Sequence, residues 1–177
     1  MPIIRTVSPE QASGTVAEIY RQIEQAFGRV PHALQMYSAS PRLLEEQWRT
    51  IGYFMNHPTL GFPLLTMIRM LVSQHNRCDY CVGYNEGMLI NRAGLDPEQV
   101  AATKRDPANA PLNEKDRAML LFVLKATAHP ADVAAEEVQA LREMGWADGD
   151  ILDAMAHGAR NVGVDLIFNT FKIENDF

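Results

Sequence analysis

Three shortages in this sequence each exclude something. Two cysteines in 177 residues cannot build the disulfide framework that holds small secreted domains together. Positive charge is in deficit: 16 Lys and Arg against 22 Asp and Glu leave a formal net charge of −6 and a pI near 5.3. That balance gives neither nucleic acid nor an anionic membrane surface a reason to bind. No apolar run approaches the roughly 20 residues that span a bilayer. The opening "MPIIRTVSPEQASG" carries one arginine and no apolar stretch long enough for a secretory signal. A cytoplasmic protein with no membrane partner is expected. Period-two alternation, internal repeats and low-complexity tracts are missing as well, which removes the usual signatures of sheets and repeat arrays.

What remains is helical. Hydrophobic residues make up 47% of the chain, enough for a proper core, and two domains would be cramped in this length, so a single domain over 1–177 is expected. "SGTVAEIYRQIEQAFG" offers Ser13 as a cap, apolar residues at Val16, Ile19, Tyr20, Ile23 and Phe27, and Gly28 as a stop. "SPRLLEEQWRTIGYFM" repeats the design with Ser40 and Pro41. "FPLLTMIRMLVSQH", from Pro63, is almost wholly apolar and predicts a buried central helix. A helix from about Asn76 to Asn91 should follow, with Asn76 as its cap, then one opened by Asp96 and Pro97. "RDPANAPLNEK", Arg105 to Lys115, is the loop-like stretch, read as a connection within one domain. Three more helices are expected beyond it, with Asn113, Asp132 and Asp148 as caps and Gly145 as a stop. The fold class is all-α.

Both cysteines fall in "HNRCDYCVGYNEG", as Cys78-Asp79-Tyr80-Cys81. With a helix starting at Asn76, Cys78 lies in its first turn and Cys81 one turn on, on the same face. The unpaired N–H groups of a helix start stabilise a thiolate and lower its pKa, and this spacing lets two sulfurs close into a disulfide. Asp79 opposes a thiolate, and Arg77 offsets it. Two other readings stand beside the reversible dithiol. The pair can be inert core filling, because free cysteine is among the most buried residue types. Alternatively His75, Cys78 and Cys81 can hold zinc, with a fourth group such as His157, although no second ligand pair is present. No cofactor-binding motif is found.

The stretch "TMIRMLVSQHNRCDYCVGYNEGMLINRAGL" resembles the core of the carboxymuconolactone decarboxylase family, in its AhpD-like (alkylhydroperoxidase D) branch. The N-terminal "ASGTVAEIYRQIEQAFGRVPHALQMYSASPRLLEEQW" and the C-terminal half from Pro111 to Asn161 are similar to its peroxidase-related members, so the resemblance covers most of the chain. It implies an all-helical bundle that assembles as a dimer, trimer or hexamer. It implies a peroxide or disulfide substrate, reduction through the cysteine pair, and re-reduction by a dithiol donor. In that scheme Cys81 meets the oxidant and Cys78 resolves it as a disulfide.

Two departures bear on the chemistry. The family pattern places a histidine four residues after the second cysteine, where this chain has Asn85. It places a glutamate twelve residues before the first, where this chain has Thr66. Neither amide nor hydroxyl accepts a thiol proton at neutral pH, and general-base help is worth roughly 100- to 10,000-fold in rate. His75, three residues before Cys78, and His157 in "DAMAHGARN" are the candidate replacements. Each also has a plain structural reading, as a helix-end and a core histidine. A scaffold that has lost its chemistry, and a decarboxylase acting on a lactone, are the competing functions. An interface between subunits is expected from the apolar stretches Pro63–Val72 and Val162–Phe171.

Overall fold

Capping side chains open the helices at Pro97–Arg105 and Glu114–Ala128, and glycines mark the ends of those at Gly14–Phe27 and Ala135–Glu143. A computed structural model describes residues 2–177, and among them the ordered elements are all helical. The α-helices are α1 (Gly14–Phe27), α2 (His32–Gln35), α3 (Pro41–Met55), α4 (Phe62–His75), α5 (Asp79–Asn91), α6 (Pro97–Arg105), α7 (Glu114–Ala128), α8 (Ala135–Glu143) and α9 (Asp148–Phe171), with short 3-10 turns between some of them. Among the described residues no helix is long and apolar enough to cross a membrane. Gly28 ends α1 in the left-handed region, at φ 78°, returning its N–H to Glu24. Asp96 caps α6 by accepting from Glu98, with Gln99 completing the box, and Asn113 caps α7 by accepting from Asp116. Gly145, at φ 86°, follows the end of α8.

Three expected caps are corrected. Asp132 closes a 3-10 turn, while α8 is capped at Ala134, whose N–H is taken by the Glu137 carboxylate from inside the helix. Asp148 is the first residue of α9 and pairs with Arg142. Asn76 does not open α5; it is the last residue of the α4 side. There α4 closes in a Schellman motif, with Arg77 N–H on Gln74 and Cys78 N–H on Ser73. The left-handed position falls on Arg77, at φ 56°, where a glycine is usual. Helix α5 therefore starts three residues later than the sequence suggests.

The chain divides into two compact units, residues up to Asn56 with Ile167–Phe177, and His57–Leu166. In the first, α1 packs on α3, with Phe27 edge-on to Trp48 and the Trp48 indole donating to Gln22. The C-terminal segment is held there by Arg29–Asp176 and by the His32 N–H on the Asp176 carboxylate. In the second, α4 packs most extensively on α5 and α7. Leu64, Leu65, Met67, Ile68, Met70, Leu71 and Val72 are all buried, each contributing roughly 1.5–3 kcal/mol. The stretch expected to supply a subunit interface is thus largely consumed inside the chain. On α9, Leu152 and Leu166 stay exposed.

Candidate active site

Polar residues recur on α4 and α9 at helical spacing, and the two rows face each other. On α4 and its end they are Thr66, Arg69, Ser73 and Asn76; on α9 they are His157, Asn161 and Asp165. Steps of three and four residues keep each row on one face. The hydrogen bonds advance together along both helices: Arg69 to His157, Ser73 to Asn161 and Asp165, Asn76 to Asp165. The result is a polar seam within an apolar packing.

One end of the seam holds the sulfurs. Cys78 is the N-cap residue of α5 and Cys81 lies in its first turn; both are buried and reduced. Their sulfurs and a carboxylate oxygen of Asp165 lie within 4.8 Å of one another. Asp165 is wholly buried. Its Oδ1 accepts from the Ser73 hydroxyl at 2.8 Å, and its Oδ2 accepts from the Asn76 and Asn161 amides at 2.9 and 3.2 Å. Three donors offset the cost of taking that carboxylate out of water.

The Cys81 thiol is pushed far up from its ordinary value. Its hydrogen bond with Cys78 is the main cause, followed by burial and then by the negative charge of Cys78 and Asp165. This corrects the expectation of an acidified Cys81. The helix start is present, but burial beside two other acidic groups outweighs it.

The other end of the seam is cationic. Arg69 donates from Nε to Asn85 Oδ1 at 2.8 Å and from Nη2 to the Thr66 hydroxyl at 3.0 Å, and its Nη1 lies 3.2 Å from His157 Nε2. Burial lowers its pKa to about 10, opposed by the nearby Tyr84 and Cys81. Asn85 also donates to the Cys81 carbonyl, and Thr66 to that of Phe62. The two positions where the family pattern carries its relay are therefore joined by an arginine. His157 is buried, with Nε2 also 3.2 Å from the Leu65 carbonyl. Burial first, then the Arg69 charge, lowers its pKa to about 3, so its ring is neutral and a poor proton acceptor near pH 7.

His75 sits elsewhere, on the exposed end of α4. It lines a cavity of about 320 Å³ with Leu71, Lys104, Arg105 and Leu124. Among the described residues, the metal-binding group types that converge are Cys78, Cys81 and Asp165, and neither histidine joins them. That set is one donor short of a tetrahedral zinc site. Tyr80 and Tyr84 stack at 6.1 Å beside the pair.

The sequence reading missed Asp165, Asn161, Ser73 and Arg69, which lie outside the cysteine motif. The signal for them is the spacing itself, 66–69–73–76 and 157–161–165, polar residues recurring at helical intervals along one face of each run.

No family model matches the chain. Over 112 residues it is 30% identical to alkyl hydroperoxide reductase Rv2159c of Mycobacterium tuberculosis, a match covering 61% of this chain and 33% of that protein. The match thus spans about a third of that curated relative's length. Among solved structures, a peroxidase-related protein from Silicibacter sp. TM1040 superposes with TM-score 0.82 at 22% identity, covering 99% of this chain and 89% of that one. An AhpD-core peroxidase-related protein from Ralstonia eutropha JMP134 gives 0.79 at 22% identity, covering 98% and 94%. The debrominase Bmp8 gives 0.78 at 17% identity, covering 98% and 92%, and a cysteine-to-alanine variant of it has been solved with 2,3,4-tribromopyrrole. The chain has the AhpD-like helical fold, and part of its length is similar in sequence to an alkyl hydroperoxide reductase.

Proposed function

We propose that the protein is a dithiol oxidoreductase that reduces an organic hydroperoxide through Cys78 and Cys81. The observation that carries this is the pair itself: two reduced sulfurs at one helix start, within 4.8 Å of each other, with no other cysteine in the sequence. Cys81 sulfur attacks the outer peroxide oxygen, the O–O bond breaks, and an alcohol leaves with the thiol proton. Cys78 then displaces the hydroxyl from the Cys81 sulfenic acid, giving a disulfide and water. Two electrons and two protons pass from the dithiol to the peroxide, and an external dithiol donor restores them. A reducing compartment such as the cytoplasm suits this cycle.

The test is intact-mass spectrometry of the reduced protein after one equivalent of cumene hydroperoxide. Loss of two hydrogens, reversed by dithiothreitol and absent from Cys78→Ser and Cys81→Ser, is expected. Oxygen adducts without a disulfide, or an inert dithiol, would sink the reading. Because Bmp8 shares the fold, a parallel arm offers 2,3,4-tribromopyrrole: bromide release faster than peroxide reduction would move the substrate class to organohalides. Assembly into a homo-oligomer is part of the proposal, with exposed Leu152 and Leu166 on α9 as the surface offered. A stable monomer by light scattering at micromolar concentration would count against it.

A further inference from the structure

We infer that the Asp165 carboxylate is the proton acceptor of the cysteine pair: it takes the Cys81 thiol proton as the sulfur attacks and passes it to the departing alkoxide. This rests on the dithiol reading above and supplies the group that Asn85 and Thr66 cannot. The geometry is specific. Asp165 comes from α9, Cys81 from the first turn of α5, and a carboxylate oxygen lies within 4.8 Å of the Cys81 sulfur. Oδ1 accepts one bond, from Ser73, so it keeps a second lone pair able to take a proton. Oδ2 is fixed by Asn76 and Asn161, so the carboxylate cannot swing away. The groups facing it are Ser73 and Asn76 from the α4 side, Cys78 and Cys81 from α5 and its cap, and Asn161 from its own helix. Arg69 is engaged at the other end of the seam by Asn85, Thr66 and His157.

A wholly buried carboxylate that only filled space could be replaced by leucine without needing three donors. Here Ser73, Asn76 and Asn161 act as positioning residues for it. When Cys78 attacks the sulfenic acid, its proton follows the same route to the leaving hydroxide, so one carboxylate serves both steps and ends each turn as it began.

The test turns on a sign. The negative charge of Asp165 holds the Cys81 proton on, so an electrostatic role alone makes Asp165→Asn faster in every thiol reaction. A proton acceptor makes the same change slower with peroxide while Cys81 alkylation by iodoacetamide speeds up. Expected for Asp165→Asn near neutral pH is a roughly 100-fold or greater fall in the second-order rate constant for cumene hydroperoxide, with faster alkylation mapped to Cys81. Peroxide and alkylation rates that rise together, or a peroxide rate equal to wild type, overturn the inference alone. A wild type inert to peroxide removes the dithiol reading and this inference with it. Should Asp165→Asn fail to fold, Asn76→Ala, which frees one side of the carboxylate, should slow peroxide reduction several-fold with alkylation unchanged; no slowing overturns the inference. About one zinc per chain in the purified protein, with both thiols unreactive until it is chelated, would overturn it as well.

Discussion

The two ends of the α4–α9 seam are built alike and charged oppositely. At one end a buried carboxylate gathers a hydroxyl and two amides. At the other a guanidinium gathers a hydroxyl, an amide and an imidazole. Both satisfy their charge with neutral partners, so neither is an ion pair. They differ in what they can do with a proton. A carboxylate can accept one and return it, whereas the arginine cannot give one up at any ordinary pH, even lowered to about 10. The sulfurs sit at the end that can exchange protons. With Asp165 in its proposed role, Asn85 and Thr66 at the positions of the family pattern's histidine and glutamate leave the pair an acid–base partner.

The sharpest way to break this comparison is to disable each end and measure peroxide turnover. Cys81→Ser should reduce it to background, while Arg69→Met should cost less than about tenfold, below the range expected of a general base. Equal loss from both would mean that the cationic end belongs to the chemistry.

A second test concerns acid. His157 has a folded pKa of about 3 against an ordinary 6.5, so the unfolded chain takes up the proton first. Its contribution to stability is complete above pH 6.5 and declines by up to roughly 1.4 kcal/mol per pH unit as pH falls toward 3. Urea unfolding at pH 7 and pH 4.5 should therefore show His157→Asn to be less acid-sensitive than wild type. Equal sensitivity would mean that the ring is not buried neutral.

A third probes the packing that holds the two rows together. A methyl group on Gly158 would lie 2.6 Å from Val123 Cγ1 and 3.1 Å from Thr127 Cγ2. Gly158→Ala should destabilise by about 1–3 kcal/mol, and Val123→Ala in the same chain should return part of the loss. Thermal unfolding that leaves Gly158→Ala unchanged would show that α9 can back away from α7.

The smallest effect is expected from Asn85→His. The new imidazole would stand beside Arg69, whose charge disfavours its protonation. The gain in peroxide rate should stay within a few-fold and grow when Arg69→Met is added. A large gain from the single change would restore the family relay as the missing element.

These outcomes also mark where the sequence could be read. Apolar periodicity gave α1 and α3, with Gly28 as a backbone stop, and side-chain caps marked α6 and α7, because Asp96 and Asn113 act through contacts a few residues away. The start of α5 was misread because Arg77 adopts a conformation its side chain does not advertise. Ala134 escaped notice as a cap because Glu137 does the work from within the helix. The cysteines announced themselves. Asp165 did not, since its importance comes from being placed against α5 and the end of α4 from more than 80 residues away, and no local pattern states which rows will meet.

The joint at Asn76, Arg77 and Cys78 has a consequence for how relatives of this chain can vary. The Cys78 N–H completes the end of α4 while its carbonyl starts α5, accepting from Val82, so no residue there is spare. Inserting or deleting one position between Ser73 and Cys81 would turn one helix against the other by about 100° and carry a sulfur away from the carboxylate. Substitution is a gentler change: glycine at position 77 even suits the local backbone better. Relatives that keep the dithiol should therefore differ in the letters of this segment and agree in its length.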